Sequence, residues 1–386
     1  MSDGEDPITQ FVGTKSLNFR RDNMRMESPF KDGIVENWDH IEKLMAHGLT
    51  DRLCVETKEH PIIINEVPHN TDEARVKMME LLFEQFETSA AFLAKNPVLT
   101  AFACGKYTGM VVDSGADVTV ASPVYEGYVL NQGTVYNRFA GNYVADEILK
   151  YIDSLGQPVN PPYAYKFEKN ASGITSPVFK QFPNTHASYV LWSKRRVVEE
   201  LKQSMLQVQE LPFNNAKTTT LEYELPDQTK IQMDDKRFAI PEQFFVPSAV
   251  LDRKNQTEYC SAGPDLPQDV KLITDPSRKA FHILANESIN RCQPDVRKEM
   301  FGTCILTGGN TQIRGASKRF EKELCAIAPS NLRIKVICSS SFPSERRFTT
   351  WMGGSILGSL GSFQLMWLSA EQYQEHGPSI VHRKCP

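Results

Sequence analysis

Gly109-Met-Val-Val-Asp113-Ser114-Gly115-Ala116-Asp117-Val118-Thr119 decides how the rest of this sequence is read. Small and β-branched residues make a strand that delivers an Asp into a Ser-Gly turn. There, bare backbone N–H groups can surround a phosphate while the carboxylate faces a hydrated metal ion. This is half of a nucleotide clamp. Its complement should be a similar strand, turn and hairpin near the N-terminus, and residues 1–30 carry nothing of the kind.

Outward from that strand, Val118 to Pro123 reads as its hairpin partner and Gly127-Tyr128-Val-Leu as the next strand. Upstream, Pro61-Ile-Ile-Ile-Asn is a short buried strand, and Thr71 is placed to cap a helix with Ala74 near its start. Val76, Met79, Leu82, Phe83 and Phe86 give that helix one apolar face. Ala90-Ala-Phe-Leu-Ala is a second strand, and a helix from Pro97 stops at Cys104-Gly105. Strands alternating with helices define an α/β class.

Downstream, the spacing predicts helices over 141–155 and 191–209. Residues 156–183 are rich in Pro, Asn, Tyr and Lys and suit a surface excursion or interaction loop, as does the polar text of 248–275. Cys304-Ile-Leu-Thr307-Gly308-Gly309-Asn310-Thr311 is a strand feeding a double-glycine turn, followed by a helix over 313–326 and a strand over 332–338. Trp351-Met-Gly-Gly-Ser-Ile-Leu-Gly-Ser-Leu opens a small-residue helix able to pack very closely on a neighbour. Trp38 and Trp351 read as core residues.

A net charge of −4 over 386 residues argues against bulk electrostatic gripping of nucleic acid. The eight cysteines form no CxxC pair, which favours a reducing compartment, cytosol or nucleus. No apolar run is long enough to span a bilayer, so no membrane partner is expected. His40, His47, His60 and His69 show no metal-ligand spacing.

Asp113-Ser-Gly, Thr307-Gly-Gly-Asn-Thr, the 351–364 segment and the tail Gly377-Pro-Ser-Ile-Val-His-Arg-Lys-Cys-Pro together resemble the actin family. Gly33-Ile-Val-Glu-Asn-Trp38-Asp and Asn65-Glu-Val-Pro68-His-Asn70 extend the resemblance from about Phe11 to Pro386. Within that family, Arg20-Arg-Asp-Asn-Met, Ser28-Pro and Gly127-Tyr-Val-Leu-Asn-Gln are most similar to the nuclear actin-related class of SWI/SNF-type remodellers and histone acetyltransferase complexes. The resemblance implies an actin-like two-lobe α/β fold with ribonuclease-H-like sheets, its first lobe shortened at the N-terminus. Residues 1–28 would be a remnant of the first lobe's outer subdomain. Residues 29–103 and 347–386 would form its inner subdomain, 104–140 and 277–346 the inner subdomain of the second lobe, and 141–276 the outer subdomain of the second. The chain would pass between lobes near Ala101 and Arg347.

The resemblance also implies a cleft in which Asp113, Ser114 and Gly115 hold phosphates, Gly308, Gly309, Asn310 and Thr311 wall the adenosine, and Lys202 edges the base. Family hydrolysis needs a Gln and a His that hold the attacking water. Those positions are Asn96 and Val120 here, and the second Asp of the Asp-Ser-Gly-Asp pattern is Ala116. An isopropyl group can neither orient nor deprotonate water. With the first phosphate hairpin absent as well, ATP and Mg²⁺ are expected to bind weakly or not at all, with no catalysis, and the chain is expected to be an N-terminally shortened product of a longer member.

The resemblance then implies a structural subunit in the nucleus. It would pair with nuclear actin on the long helix of a remodeller ATPase, among other remodelling-complex subunits, with indirect nucleosome association. Its groove would lie near Ala140-Gly141-Asn142-Tyr143 and the helix 354–363. The alternative is a conventional filament-forming ATPase, opposed by the polar text of 251–263 where filaments need an apolar plug. A small-molecule kinase lacks a catalytic carboxylate at the cleft mouth.

Overall fold

The computed structural model describes residues 9–169, 175–213, 218–246, 279–339 and 343–386. The expectations for 248–275 and 251–263 lie outside the described residues.

Two sheets organise the chain. In the larger, the quoted strand is Gly109–Ser114, flanked on one side by parallel Cys304–Thr307 and then Val336–Cys338. On the other side it pairs antiparallel with Thr119–Tyr125, which in turn pairs with Tyr128–Val129 and Val135–Asn137. Burial on both faces of Gly109–Ser114 and Thr119–Tyr125 explains why both read as continuous apolar runs rather than alternations. The smaller sheet sets Ile62–Glu66 parallel to Ala90–Lys95, with Leu368–Ser369 antiparallel at its far side. This is the two-lobed, actin-like α/β architecture that the sequence implies.

Each sheet has its own core. One draws Ile62, Met79, Leu82, Leu93 and Leu99 together with Leu357, Leu368, Tyr373 and Val381 from the C-terminal end. The second runs from Met110 and Val112 through Ile148, Leu201 and Phe244 to Leu306, Phe320 and Leu324, uniting the larger sheet with the helices Gly141–Ser154 and Ala187–Met205. A small cluster of Ala101, Val111, Val124 and Ile305 joins them.

Local chemistry places the elements. Thr71 accepts from the Ala74 N–H at 3.2 Å and starts the helix Asp72–Glu80. Cys104 ends the helix Asn96–Ala103, which Pro97 opens. That helix crosses Thr349–Ser359 so closely that a Cβ on Gly353 would lie 1.8 Å from the Leu99 carbonyl oxygen. Only a glycine admits this approach.

Several boundaries differ from the sequence reading. The helix expected from Ile313 starts at Ala316, because Gly309–Gln312 forms a 3₁₀ turn and Gly315, at φ 88°, lies against the Val208 carbonyl. The strand expected from Leu332 is confined to Val336–Cys338, the stretch that Cys304–Leu306 pairs with. The helix expected over 191–209 is Ala187–Met205, started by the His186 side chain accepting from the Ser188 N–H. Residues 156–183 are a surface excursion built around a β-hairpin, Tyr165–Lys169 against Thr175–Phe179. Trp351 is 73% exposed and Trp38 only partly buried, so neither is a core residue. The helix of Trp351 mixes apolar, small and hydroxyl residues without one apolar stripe, so periodicity could not say which side faces solvent.

Candidate functional site

The Asp113 strand and the Thr307 strand are neighbours, with Thr307 opposite Asp113. Their C-terminal turns therefore emerge side by side, which brings Asp113, Ser114 and Gly115 against Gly308, Asn310 and Thr311. Gly308 adopts φ 88°, and a Cβ there would meet the Ser114 carbonyl oxygen at 2.3 Å and Asp113 Oδ1 at 2.5 Å. Gly309 faces open space, and a Cβ there would meet nothing within 4 Å.

The polar groups of this junction are largely spent on one another. Thr119 Oγ1 donates to the Phe139 carbonyl at 2.7 Å, so the 2.9 Å contact between Ser114 Oγ and Thr119 Oγ1 must use the Ser114 proton. Asn310 Nδ2 donates to Ser114 Oγ at 3.0 Å and to the Gly115 carbonyl at 2.7 Å. Fully buried Ser114 thus has no proton left for a phosphate. The Gly115 N–H donates to the Val118 carbonyl at 3.0 Å, and the Asn142 N–H closes on the Ala116 carbonyl at 2.8 Å. On the other turn, the Thr311 hydroxyl donates to the Gly308 carbonyl at 2.8 Å.

Asp113 stands differently. Desolvation pushes its carboxyl up to about 6, with no cation to offset it. A partnered carboxylate would move the other way. Lys202 lies on the helix Ala187–Met205, nearly buried, with Nζ 2.7 Å from Glu199 Oε2. The chain leaving that helix bridges Gln207 to Arg314, which sets Lys202's element beside the segment after Thr311.

The positions expected to hold an attacking water are occupied by other contacts. Val120 is buried against Tyr136 on the neighbouring strand. Asn96 Oδ1 accepts from Asn65 Nδ2 at 2.8 Å, and Ala116 is exposed at the turn. Among the described residues, no group of three or more His, Cys, Asp or Glu side chains is arranged to hold a metal ion.

Sequence reading missed Arg346. Its carbonyl accepts from the Gly308 N–H at 3.3 Å and from Thr307 Oγ1 at 3.1 Å, while its guanidinium donates to the Thr311 carbonyl at 2.7 Å. The double-glycine turn is therefore braced from outside. Also missed was a bridge between distant segments: Arg138 to Asp32, with His69 stacked on Tyr136 at 4.1 Å and 11°. Nothing in local pattern announces either contact.

The turn Ala140–Tyr143, expected near a partner groove, is buried at its start and partly exposed at Asn142 and Tyr143. Ala140 and Gly141 are buried, and a Cβ on Gly141 would lie 2.9 Å from Asn310 Oδ1. The helix Thr349–Ser359, which overlaps the other element expected at that groove, carries exposed apolar side chains. Trp351, Ile356 and the following Leu360 and Leu365 are all exposed, as are Ser355 and Ser359 on the same helix.

A family model described as Actin matches residues 2–386. The chain is similar to "Actin-related protein 4" of Arabidopsis thaliana, 38% identical over 379 residues, which is 97% of this chain and 83% of the relative. It is likewise 38% identical to the proteins of that name in Oryza sativa subsp. indica and subsp. japonica, over 97% of this chain and 82% of each relative.

Proposed function

The chain belongs to the actin family, and from that premise we propose that it is a non-catalytic, nuclear actin-related subunit of chromatin-remodelling or histone-modifying assemblies. In this reading it pairs with actin on a long helix of a remodeller ATPase. The observation that carries the reading is the contrast between its two faces. At the Asp113 junction the donors are consumed internally, whereas the helix Thr349–Ser359 leaves an apolar surface uncovered. Exposed apolar patches of this kind serve protein partners, and a long amphipathic helix is the partner whose side-chain spacing matches another helix.

The described residues offer a magnesium triphosphate few donors, which supports weak binding. Ser114 has no free proton, the Gly115 N–H is bonded within the turn, and Lys202 is paired with Glu199. Desolvation alone shifts Asp113, so no cation of the chain beside it neutralises a triphosphate, although its carboxylate is suited to a hydrated Mg²⁺. Hydrolysis would lack a water-holding group as well, since a buried Val120 offers no hydrogen bond.

The similarity to proteins named "Actin-related protein 4" supports an actin-related subunit over a conventional filament protein. Sedimentation with phosphate release in polymerising salt plus Mg-ATP tests this. The protein is expected to stay in the supernatant and release phosphate no faster than buffer. Pelleting at micromolar concentration, or steady phosphate release, would overturn the proposal.

A further inference from the structure

The hairpin Tyr165–Lys169/Thr175–Phe179 is a two-stranded sheet that shares no ladder with any other described strand. Its root is fixed. Tyr163 packs against Phe182 and Tyr189, and the Arg20 guanidinium lies 4.6 Å over the Phe182 ring. Its blade is exposed on both faces, although isolated hairpins are marginal in water.

Register assigns its groups. Tyr165 lies opposite Phe179 and Phe167 opposite Pro177, so the three aromatic rings share a face, with contacts of 5.5 Å and 6.0 Å between centroids. Phe167 and Phe179 are 44% and 52% exposed. The Lys180 N–H donates to the Ala164 carbonyl at 2.8 Å, which makes that couple a hydrogen-bonded pair. Alternation then turns the backbone groups of Tyr165, Phe167 and Lys169 away from the partner strand. Pro177, lacking an N–H, disqualifies the opposite edge for a continuous ladder. Only the Tyr165–Lys169 edge can accept a strand.

Charge selects what that strand is. Lys166 and Lys180 lie with Glu168 on the face away from the rings and Lys169 lies on the ring face, so the described hairpin residues carry three lysines against one acid. Edge lysines repel a second copy of the same strand, and they attract an acidic one. We propose that the Tyr165–Lys169 edge is a docking site for an extended, acidic protein segment of alternating apolar and Asp/Glu residues. It would add as a strand, placing its apolar side chains beside Tyr165 and Phe167 and its carboxylates on the face that carries Lys166, with Lys169 and Lys180 adding to the positive charge around it. Main-chain bonds supply affinity in this mode, and the alternating side chains supply specificity.

The test uses the full chain and three fluorescent probes: an alternating Val–Glu peptide of about nine residues, long enough to span the strand, its Val–Lys counterpart, and an oligothymidylate. The Val–Glu peptide is expected to bind, to weaken at least tenfold between low and high salt, and to protect the amides of Tyr165, Phe167 and Lys169 from hydrogen exchange. F167P removes an outward N–H without breaking the hairpin's own ladder and should abolish binding. K166E/K169E should transfer preference to the Val–Lys peptide while keeping the edge intact. Equal binding of both peptides, binding insensitive to F167P, preference for the oligothymidylate, self-association of the protein through this edge, or no peptide binding at all would each overturn the proposal.

Discussion

Arg138 grips both carboxylate oxygens of Asp32, Nε to Oδ1 at 2.6 Å, and so ties the turn between the paired strands Phe30–Lys31 and Ile34–Val35 to the end of the strand Val135–Asn137. His69 adds a second tie, its Nε2 2.9 Å from the Asp32 carbonyl and its ring on Tyr136. Asp32 itself has φ 54°, a conformation uncommon outside glycine and kept here by these contacts.

Breaking this bridge tests how firmly the two segments are coupled. Arg138 is about half exposed, so solvent screening limits the pair to ~1 kcal/mol of coupling. A double-mutant cycle of Asp32→Ala and Arg138→Ala, read by urea unfolding, should return that coupling. Strictly additive single effects would show that the bridge is ornamental.

Gly353 and Gly309 should respond oppositely to the same change. Gly353→Ala drives a Cβ onto the Leu99 carbonyl and should cost ~2–4 kcal/mol or prevent folding, because the two helices must separate. Gly309→Ala enters open space and should stay within ~1 kcal/mol of the parent. Thermal denaturation of both variants gives the comparison. A tolerated Gly353→Ala would mean the helices are not in contact there.

Asp113 makes stability fall as pH rises. Its folded carboxyl is raised to about 6 against an ordinary value of 3.8, so between those values the folded state binds more protons than the unfolded state. Stability should therefore decline as pH climbs through that window and remain lower above it. Its side chain is half-buried, so the effect is discounted to ~1–2 kcal/mol. Asp113→Asn should flatten this part of the pH profile and raise Tm at neutral pH. A profile unchanged by the substitution would mean that Asp113 has a compensating partner.

Mg-ATP should leave Tm unchanged at millimolar concentration, since a ligand that binds only the folded form must raise it. A large Mg²⁺-dependent rise would show that the Asp113 and Gly308 turns open to receive phosphate.

Much of the fold was legible because it rests on local rules. Buried parallel strands announce themselves as apolar runs at Ile62, Ala90, Met110 and Cys304, and Thr71 and Pro97 mark helix starts. The meeting of Asp113 with Gly308 followed from family resemblance rather than from spacing. What stayed hidden depends on partners far along the chain. Tyr165–Lys169 reads as loop because lysines and aromatics alternate without burial, and only its partner strand makes it β. Arg346 acts through backbone groups at Gly308 and Thr311, which leave no trace in side-chain pattern. The spent state of Ser114 emerges only once Thr119, Phe139 and Asn310 are placed around it.

The most direct measurement of the partner-scaffold account is co-purification of actin and a remodeller ATPase's long helix with this chain and with Ser355→Trp. Ser355 is exposed beside Ile356 on the uncovered helix, so the substitution should leave Tm within a few degrees of the parent. The account predicts capture of both partners by the parent and loss of capture by the folded variant. Equal capture by the two proteins would contradict it.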